Sequence, residues 1–180
     1  MASSHQEILR TELRWGAVMG VLVAGILGLI IYAALALHIS PPSNVERIDP
    51  KTLQLSDEFT EQNLGTQVSG DGRVTARIVA TQYAFLPPCV AVPLNRPITL
   101  RFASPDVIHG LLIAGTNVNT MVVPGYVSQV HATFTQPGET PMPCHEFCGL
   151  GHSAMLGRVQ VLPADQFKPD AQGRVACAKH

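Results

Sequence analysis

The chain has 180 residues, 46% of them hydrophobic and 14% charged, with twelve Lys/Arg against thirteen Asp/Glu. That length accommodates one domain of ordinary size plus a membrane anchor. From Glu46 onward ten basic residues meet eleven acidic ones, a balance that excludes the basic face required for nucleic acid and offers no acidic run to capture a basic partner.

Residues 1–14 read as a polar tail. Trp15 to Ile39 is a run of twenty-five residues without acid, lysine or arginine, and about twenty apolar residues span a bilayer as a helix. Trp15 and Tyr32 suit the two interfaces. Ala34-Leu-Ala36 loosely resembles a signal-peptide cleavage site, but the apolar run is longer than the roughly 7–15 residues of a signal core. The expectation is therefore an uncleaved single-pass anchor over 15–39. Arg10 and Arg14 at its N-terminal side place the tail in the cytoplasm and the rest of the chain on the periplasmic or outer side of the cell membrane.

Ser40-Pro-Pro-Ser-Asn44 ends the helix, since proline lacks an N–H and disfavours helix in the residue before it. A linker follows over 40–72, with a short helix expected at Ser56–Gln62 and Ser56 as its cap. From Arg73 the texture turns to β. Arg73–Tyr83 and Tyr126–Phe134 partly alternate apolar and polar residues, and Ile98–Ala103, Ile108–Ala114 and Leu156–Leu162 supply further short strands. Gly70-Asp-Gly72, Asn95-Arg-Pro97, Pro124-Gly125 and Pro137-Gly138 mark turns. Short strands with frequent turns predict a sandwich or barrel over 73–165, followed by a tail over 166–180.

The chemistry concentrates in Cys144-His-Glu-Phe-Cys148-Gly-Leu-Gly-His152-Ser-Ala-Met155. Two thiolates, an imidazole and a thioether fall within twelve residues, and such soft and borderline donors favour copper over magnesium, calcium or manganese. One cysteine, one histidine and a weak methionine would hold a single blue copper; the second cysteine allows two thiolates to bridge two copper ions. A Cys2His2 zinc site would leave Met155 without a use and normally spaces its cysteines as C-x2-C. The haem motif C-x-x-C-H is absent, because Gly149 follows Cys148. A Cys144–Cys148 disulfide is the plain alternative outside the cytoplasm. In copper-binding Greek-key sandwiches an earlier strand end supplies another histidine, and His109, thirty-five residues upstream, is that candidate.

The stretches Ser104-Pro-Asp-Val-Ile-His109, Gly115-Thr-Asn-Val-Asn119, Val123-Pro-Gly125, Gln136-Pro-Gly-Glu139 and Cys144–Met155 together resemble subunit II of haem–copper cytochrome c oxidases. The likeness extends through nearly the whole chain, including the apolar helix and Glu46-Arg-Ile-Asp-Pro50. It leans towards the B-family, whose subunit II has one membrane helix. The resemblance implies a mainly β chain, one N-terminal transmembrane helix followed by a cupredoxin-like Greek-key β-sandwich or barrel. It also implies a dinuclear copper centre, CuA, bridged by Cys144 and Cys148. His109 and His152 would each bind one copper, Met155 would be the weak ligand of one and the Glu146 backbone carbonyl that of the other. Magnesium through the Glu146 carboxylate stays open, since B-family relatives can lack that acid.

Electrons would come from cytochrome c or a small copper protein and pass, with His152 as candidate exit residue, to haem in subunit I, where oxygen is reduced. The chain itself would perform electron transfer only. One departure concerns electron input. Many members receive the electron at a tryptophan in an aromatic stretch, whereas Thr81-Gln-Tyr83-Ala-Phe85-Leu-Pro-Pro88 has none and the single tryptophan is Trp15. Tyr83 and Phe85 are the candidates there, with a core role as the alternative. Leu111, Leu112, Val122 and Val123 could form an apolar docking patch or belong to the core. Other readings are a membrane-anchored copper carrier or assembly protein, and a CuA domain related to nitrous-oxide reductase, whose catalytic domain 180 residues cannot hold. Cys89 and Cys177 could be paired or free. Asp106 could hold the His109 loop or serve as a turn acid, and His145 is expected to point away from the cysteines.

Overall fold

The computed structural model describes residues 2–37 and 46–178, so the helix-ending Ser40–Asn44 segment, together with His38, Ile39 and His180, lies outside the described residues. The described residues fall into two compact units, one holding the N-terminal helix and one the β elements. Helix α1 spans Ala2–Ala36, and its stretch His5–Ala36 is long and apolar enough to cross a membrane. Apolar side chains point outward all round, from Leu13 and Val21 to Leu29 and Leu35, as a helix solvated by lipid requires. The helix begins well before Trp15, because the expected tail is rich in good helix formers such as Gln6, Glu7, Leu9 and Arg10.

Among the described residues twelve strands follow: β1 (Glu46–Arg47), β2 (Gly65–Val68), β3 (Val74–Thr81), β4 (Ala84–Leu86), β5 (Cys89–Pro93), β6 (Pro97–Ala103), β7 (His109–Leu112), β8 (Asn119–Val122), β9 (Tyr126–Thr133), β10 (Gly138–Pro143), β11 (Leu156–Leu162) and β12 (Arg174–Val175). One sheet runs β1-β9-β6-β3-β2-β12, with β4 also on β3; a second runs β10-β11-β5; β7 and β8 form a ribbon. Pairs β3–β6 and β5–β11 are parallel, so their connections cross over rather than turn as hairpins. The result is the expected mainly β sandwich.

Alternation decides which side chains enter the interior. On β3, Val74, Ala76, Ile78 and Ala80 face a core shared with Leu100 and Phe102 of β6, Val90 and Val92 of β5, and Val159 and Val161 of β11. Val79, one residue out of phase, joins Ala103 and Val127 in a second small core closed by Leu53 and Phe59. That second core recruits residues expected to be linker. Arg101 ties the same segment down by ion pairs to Glu58 and Glu46, and Arg77 also reaches Glu58. These carboxylates, Glu58 first, raise the Arg101 guanidinium pKa.

Two expectations change and one open pairing is decided. The short helix at Ser56–Gln62 is replaced by 3-10 turns at Pro50–Leu55 and Glu61–Asn63. Asp49 caps the first turn through Lys51 N–H and Pro50 supplies a preset φ; Ser56 closes that turn, and its hydroxyl also caps the next one by accepting from Phe59 N–H at 3.2 Å. Residues 166–178 are also more than a tail: Phe167 and Val175 are buried, and β12 adds to the edge of β2. Finally, Cys89 and Cys177 form a disulfide that fastens this segment to β5.

Candidate metal centre

The site is assembled from two places. His109 opens β7, and the loop between β10 and β11 carries Cys144, Cys148, His152 and Met155. The loop's ends are joined to each other, because Cys144 N–H donates to the Met155 carbonyl at 3.0 Å. Cys144 also bridges to Leu111 in β7, which brings the loop to the histidine. His145 reinforces this seam. Its N–H donates to Gly110 O at 3.1 Å, and its ring Nε2 lies 3.2 Å from Leu111 O. Gly110 permits the contact, since a Cβ there would stand 2.5 Å from the His145 ring. As expected, His145 is exposed and does not face the sulfurs.

The donor atoms converge. Sγ of Cys144 and Sγ of Cys148 are 3.8 Å apart, and both thiols are free and buried. His109 Nδ1 lies 4.0 Å from Cys144 Sγ, and Glu146 O lies 3.2 Å from it. His152 Nδ1 and Met155 Sδ each lie 3.7 Å from Cys148 Sγ. One imidazole nitrogen and one weak donor therefore flank each sulfur. Sulfurs 3.8 Å apart leave room for a metal at about 2.3 Å from both, a usual metal–thiolate distance. The donor atoms of His109, Cys144 and Cys148 all fall within 4.8 Å of one another. The residues present fit copper, and the soft donor set argues against hard cations.

Burial is uneven across the site. His109 is 0% exposed, Met155 2% and Cys148 4%, whereas His152 is half-buried and has the exposed Phe147 ring 5.8 Å away. Burial, reinforced by the neighbouring Cys144, pushes the Cys148 thiol up to about 11. Asp106 proves to be a support for His109: its Oδ1 lies 2.9 Å from His109 Nε2. A carboxylate there calls for the proton on Nε2, which leaves Nδ1 as a lone pair facing Cys144. Partial burial opposes ionisation of Asp106, but the N–H of Gln82, His109, the N–H of Val107 and the Thr81 hydroxyl together hold it well below the usual carboxylate range.

Two expectations about aromatic and apolar residues are decided by burial. Phe85 is core, 1% exposed, while Tyr83 is 41% exposed and its ring lies over Gly149 and Gly151 of the loop. Leu111 and Val122 are fully buried and belong to the core, turned inward by the β7–β8 ribbon, while Leu112 and Val123 are half-buried. The exposed apolar residues at the loop are instead Phe147 and Leu150. Sequence reasoning missed Gln82, whose Nε2 donates to Cys148 O at 2.6 Å; a contact across 66 positions leaves no local signal.

Residues 76–162 match the family described as cytochrome c oxidase subunit II, periplasmic domain. A curated relative, cytochrome c oxidase subunit 2 of Thermus thermophilus, is 35% identical over 161 residues, 88% of this chain and 95% of the relative. A second Thermus thermophilus relative of the same name is 36% identical over 121 residues, 67% of this chain and 90% of its own length. Among solved structures, a chain of a haem–copper terminal oxidase dimer determined by cryo-electron microscopy aligns with TM-score 0.67 at 31% identity, covering 84% of this chain and 99% of that one. With a donor cluster compatible with copper and relatives that are subunits of an oxidoreductase, this chain belongs to the cytochrome c oxidase subunit II family.

Proposed function

We propose that this chain is the membrane-anchored electron-input subunit of a haem–copper terminal oxidase and that it holds a dinuclear copper centre. The observation that carries the reading is the pairing of donors: two sulfurs 3.8 Å apart, each flanked by one imidazole nitrogen and one weak donor. A mononuclear site has no use for two such sets. Cys144 and Cys148 would hold the coppers through their thiolates, His109 and His152 through ring nitrogens, and Met155 and the Glu146 carbonyl as weak donors. When bound, the copper pair supplies a one-electron store whose charge is spread over two metals and two sulfurs.

The chain's own residues set the conditions for that store. Asp106 holds His109 in one orientation and one tautomer. The buried Met155, Met142 and Phe85 exclude water from the inner side of the loop. His152 is the half-exposed ligand, which suits hand-over towards the haem of subunit I. Phe147, Leu150 and Tyr83 border the outer face of the loop, where a donor such as cytochrome c or a small copper protein would dock through a modest apolar contact. The α1 anchor keeps the domain at the bilayer, with the N-terminus cytoplasmic and the β domain periplasmic. Partner subunits then perform oxygen reduction. A magnesium ion at Glu146 stays an expectation of the family resemblance alone.

A copper carrier is disfavoured by the burial of both thiols, because metal exchange needs accessible sulfur. The test is electron paramagnetic resonance with a copper count on the copper-loaded chain. Two coppers per chain and one unpaired electron coupled equally to both nuclei are expected; a single-copper spectrum would overturn the proposal.

A further inference from the structure

We propose that Gln82 is a positioning residue that couples the two halves of the metal site, an inference that rests on the copper reading above. The halves come from separate elements, β7 for His109 and the β10–β11 loop for the cysteines. Gln82 sits outside both, at the corner between β3 and β4, and bonds to each. Its backbone N–H donates to Asp106 Oδ2 at 2.7 Å, on the carboxylate whose Oδ1 holds His109 Nε2 at 2.9 Å. The Thr81 hydroxyl donates to the same Oδ2 at 2.8 Å. The Gln82 side chain turns the other way, and its Nε2 donates to Cys148 O at 2.6 Å.

The carbonyl it holds belongs to the peptide at the sharpest point of the loop. Gly149 follows with φ +127, and a Cβ on it would stand 2.6 Å from the Tyr83 hydroxyl and 3.0 Å from Gln82 Nε2. The loop therefore fits closely under the β3–β4 corner, with Tyr83 also covering Gly151. Fixing the peptide after Cys148 fixes the direction of the Cys148 side chain and thus its sulfur. The chain of contacts from His109 through Asp106 and Gln82 to Cys148 adds a second link between ligands that are also joined through the Cys144–Leu111 bridge and the His145 contacts with Gly110 and Leu111.

The test uses the full chain in detergent, loaded with copper, in parent, Gln82→Ala and Gln82→Glu forms. All three keep the backbone bond to Asp106. Alanine deletes the donor to Cys148 O, and glutamate keeps the length but offers an oxygen where a proton donor is needed. Measured are the rate of copper release to excess bicinchoninate under reducing conditions, the paramagnetic resonance hyperfine pattern, and urea unfolding of the metal-free chain. Both variants should release copper about ten-fold faster than the parent, the usual cost of losing an outer-shell support, with glutamate the faster of the two. The hyperfine pattern should change, while metal-free unfolding shifts by no more than one partly buried hydrogen bond is worth.

Parent-like release and spectra in both variants would overturn the proposal, as would a Gln82→Glu form indistinguishable from the parent. Faster release matched by a metal-free chain destabilised by more than that bond would also overturn it, since Gln82 would then hold the hairpin rather than the metal loop. A parent that binds fewer than two coppers fails the copper reading itself, and this inference with it, and that result is read from the parent alone.

Discussion

Replacing Cys89 and Cys177 together by serine tests how the C-terminal segment contributes to the domain. The bond joins residues 88 apart in sequence. For a loop of that size the chain-entropy relation gives about 15 cal/mol/K, or about 4.6 kcal/mol at 25 °C. The folded state should change little, because other contacts hold the segment. Arg174 and Val175 pair with Gln67 and Thr66, Phe167 and Val175 are buried, and Ala178 N–H donates to Gln160 Oε1 at 2.7 Å. The cost therefore falls on the unfolded chain, which regains freedom. We expect a loss of about 3–5 kcal/mol and a fall in midpoint temperature of about 10–15 °C for a domain of this size. The assay is urea and thermal unfolding of the metal-free full chain in detergent, and the urea m-value should rise because the uncrosslinked chain exposes more surface. Copper spectra should match the parent, since neither cysteine is among the donors. A loss below about 1 kcal/mol, or an unchanged m-value, would refute the reasoning.

Four further outcomes are expected. Cys148→Ser should abolish the shared-electron spectrum while Met155→Leu keeps two coppers and shifts the reduction potential; a normal mixed-valence signal from Cys148→Ser would contradict the bridging role. Phe102→Ala empties a fully buried ring site and should cost about 3–5 kcal/mol in urea unfolding. Gly110→Ala brings a Cβ to 2.5 Å from the His145 ring and 3.1 Å from Glu146 Cβ, so the loop must shift; we expect about 1–3 kcal/mol of destabilisation and altered copper hyperfine splitting. Because the Cys148 thiol is pushed up to about 11 by burial and by Cys144, it keeps its proton at neutral pH in the metal-free chain. Copper must displace at least that proton, so affinity should rise at least about ten-fold per pH unit. Competition titrations giving the same affinity at pH 6 and pH 8 would contradict this.

Local signals carried much of the reading. The apolar helix follows from twenty-five uncharged residues, and its polar N-terminal extension shows that composition marks the lipid-spanning part better than the helix end. Strands β3 and β9 were legible from alternation, because a half-buried strand writes its environment at period two. Strands β5 and β10 were not, since Pro93, Pro141 and Pro143 interrupt the pattern; both pair with β11, which lies between them, and that edge placement leaves room for proline.

By itself the sequence determined the donor chemistry. Two thiolates, an imidazole and a thioether on one short loop are the donors a soft metal prefers, and His109 was within reach of that logic. Tertiary structure alone decided which residues serve that site and which serve the core. It buried Leu111 and Val122, exposed Phe147 and Leu150, joined Cys89 to Cys177, and made Asp106 a support for His109. It also set Gln82 against a carbonyl 66 residues away. The physical reason is range: ligand identity and strand alternation are written between neighbours, whereas burial, disulfide pairing and support of the ligands arise only when distant strands pack.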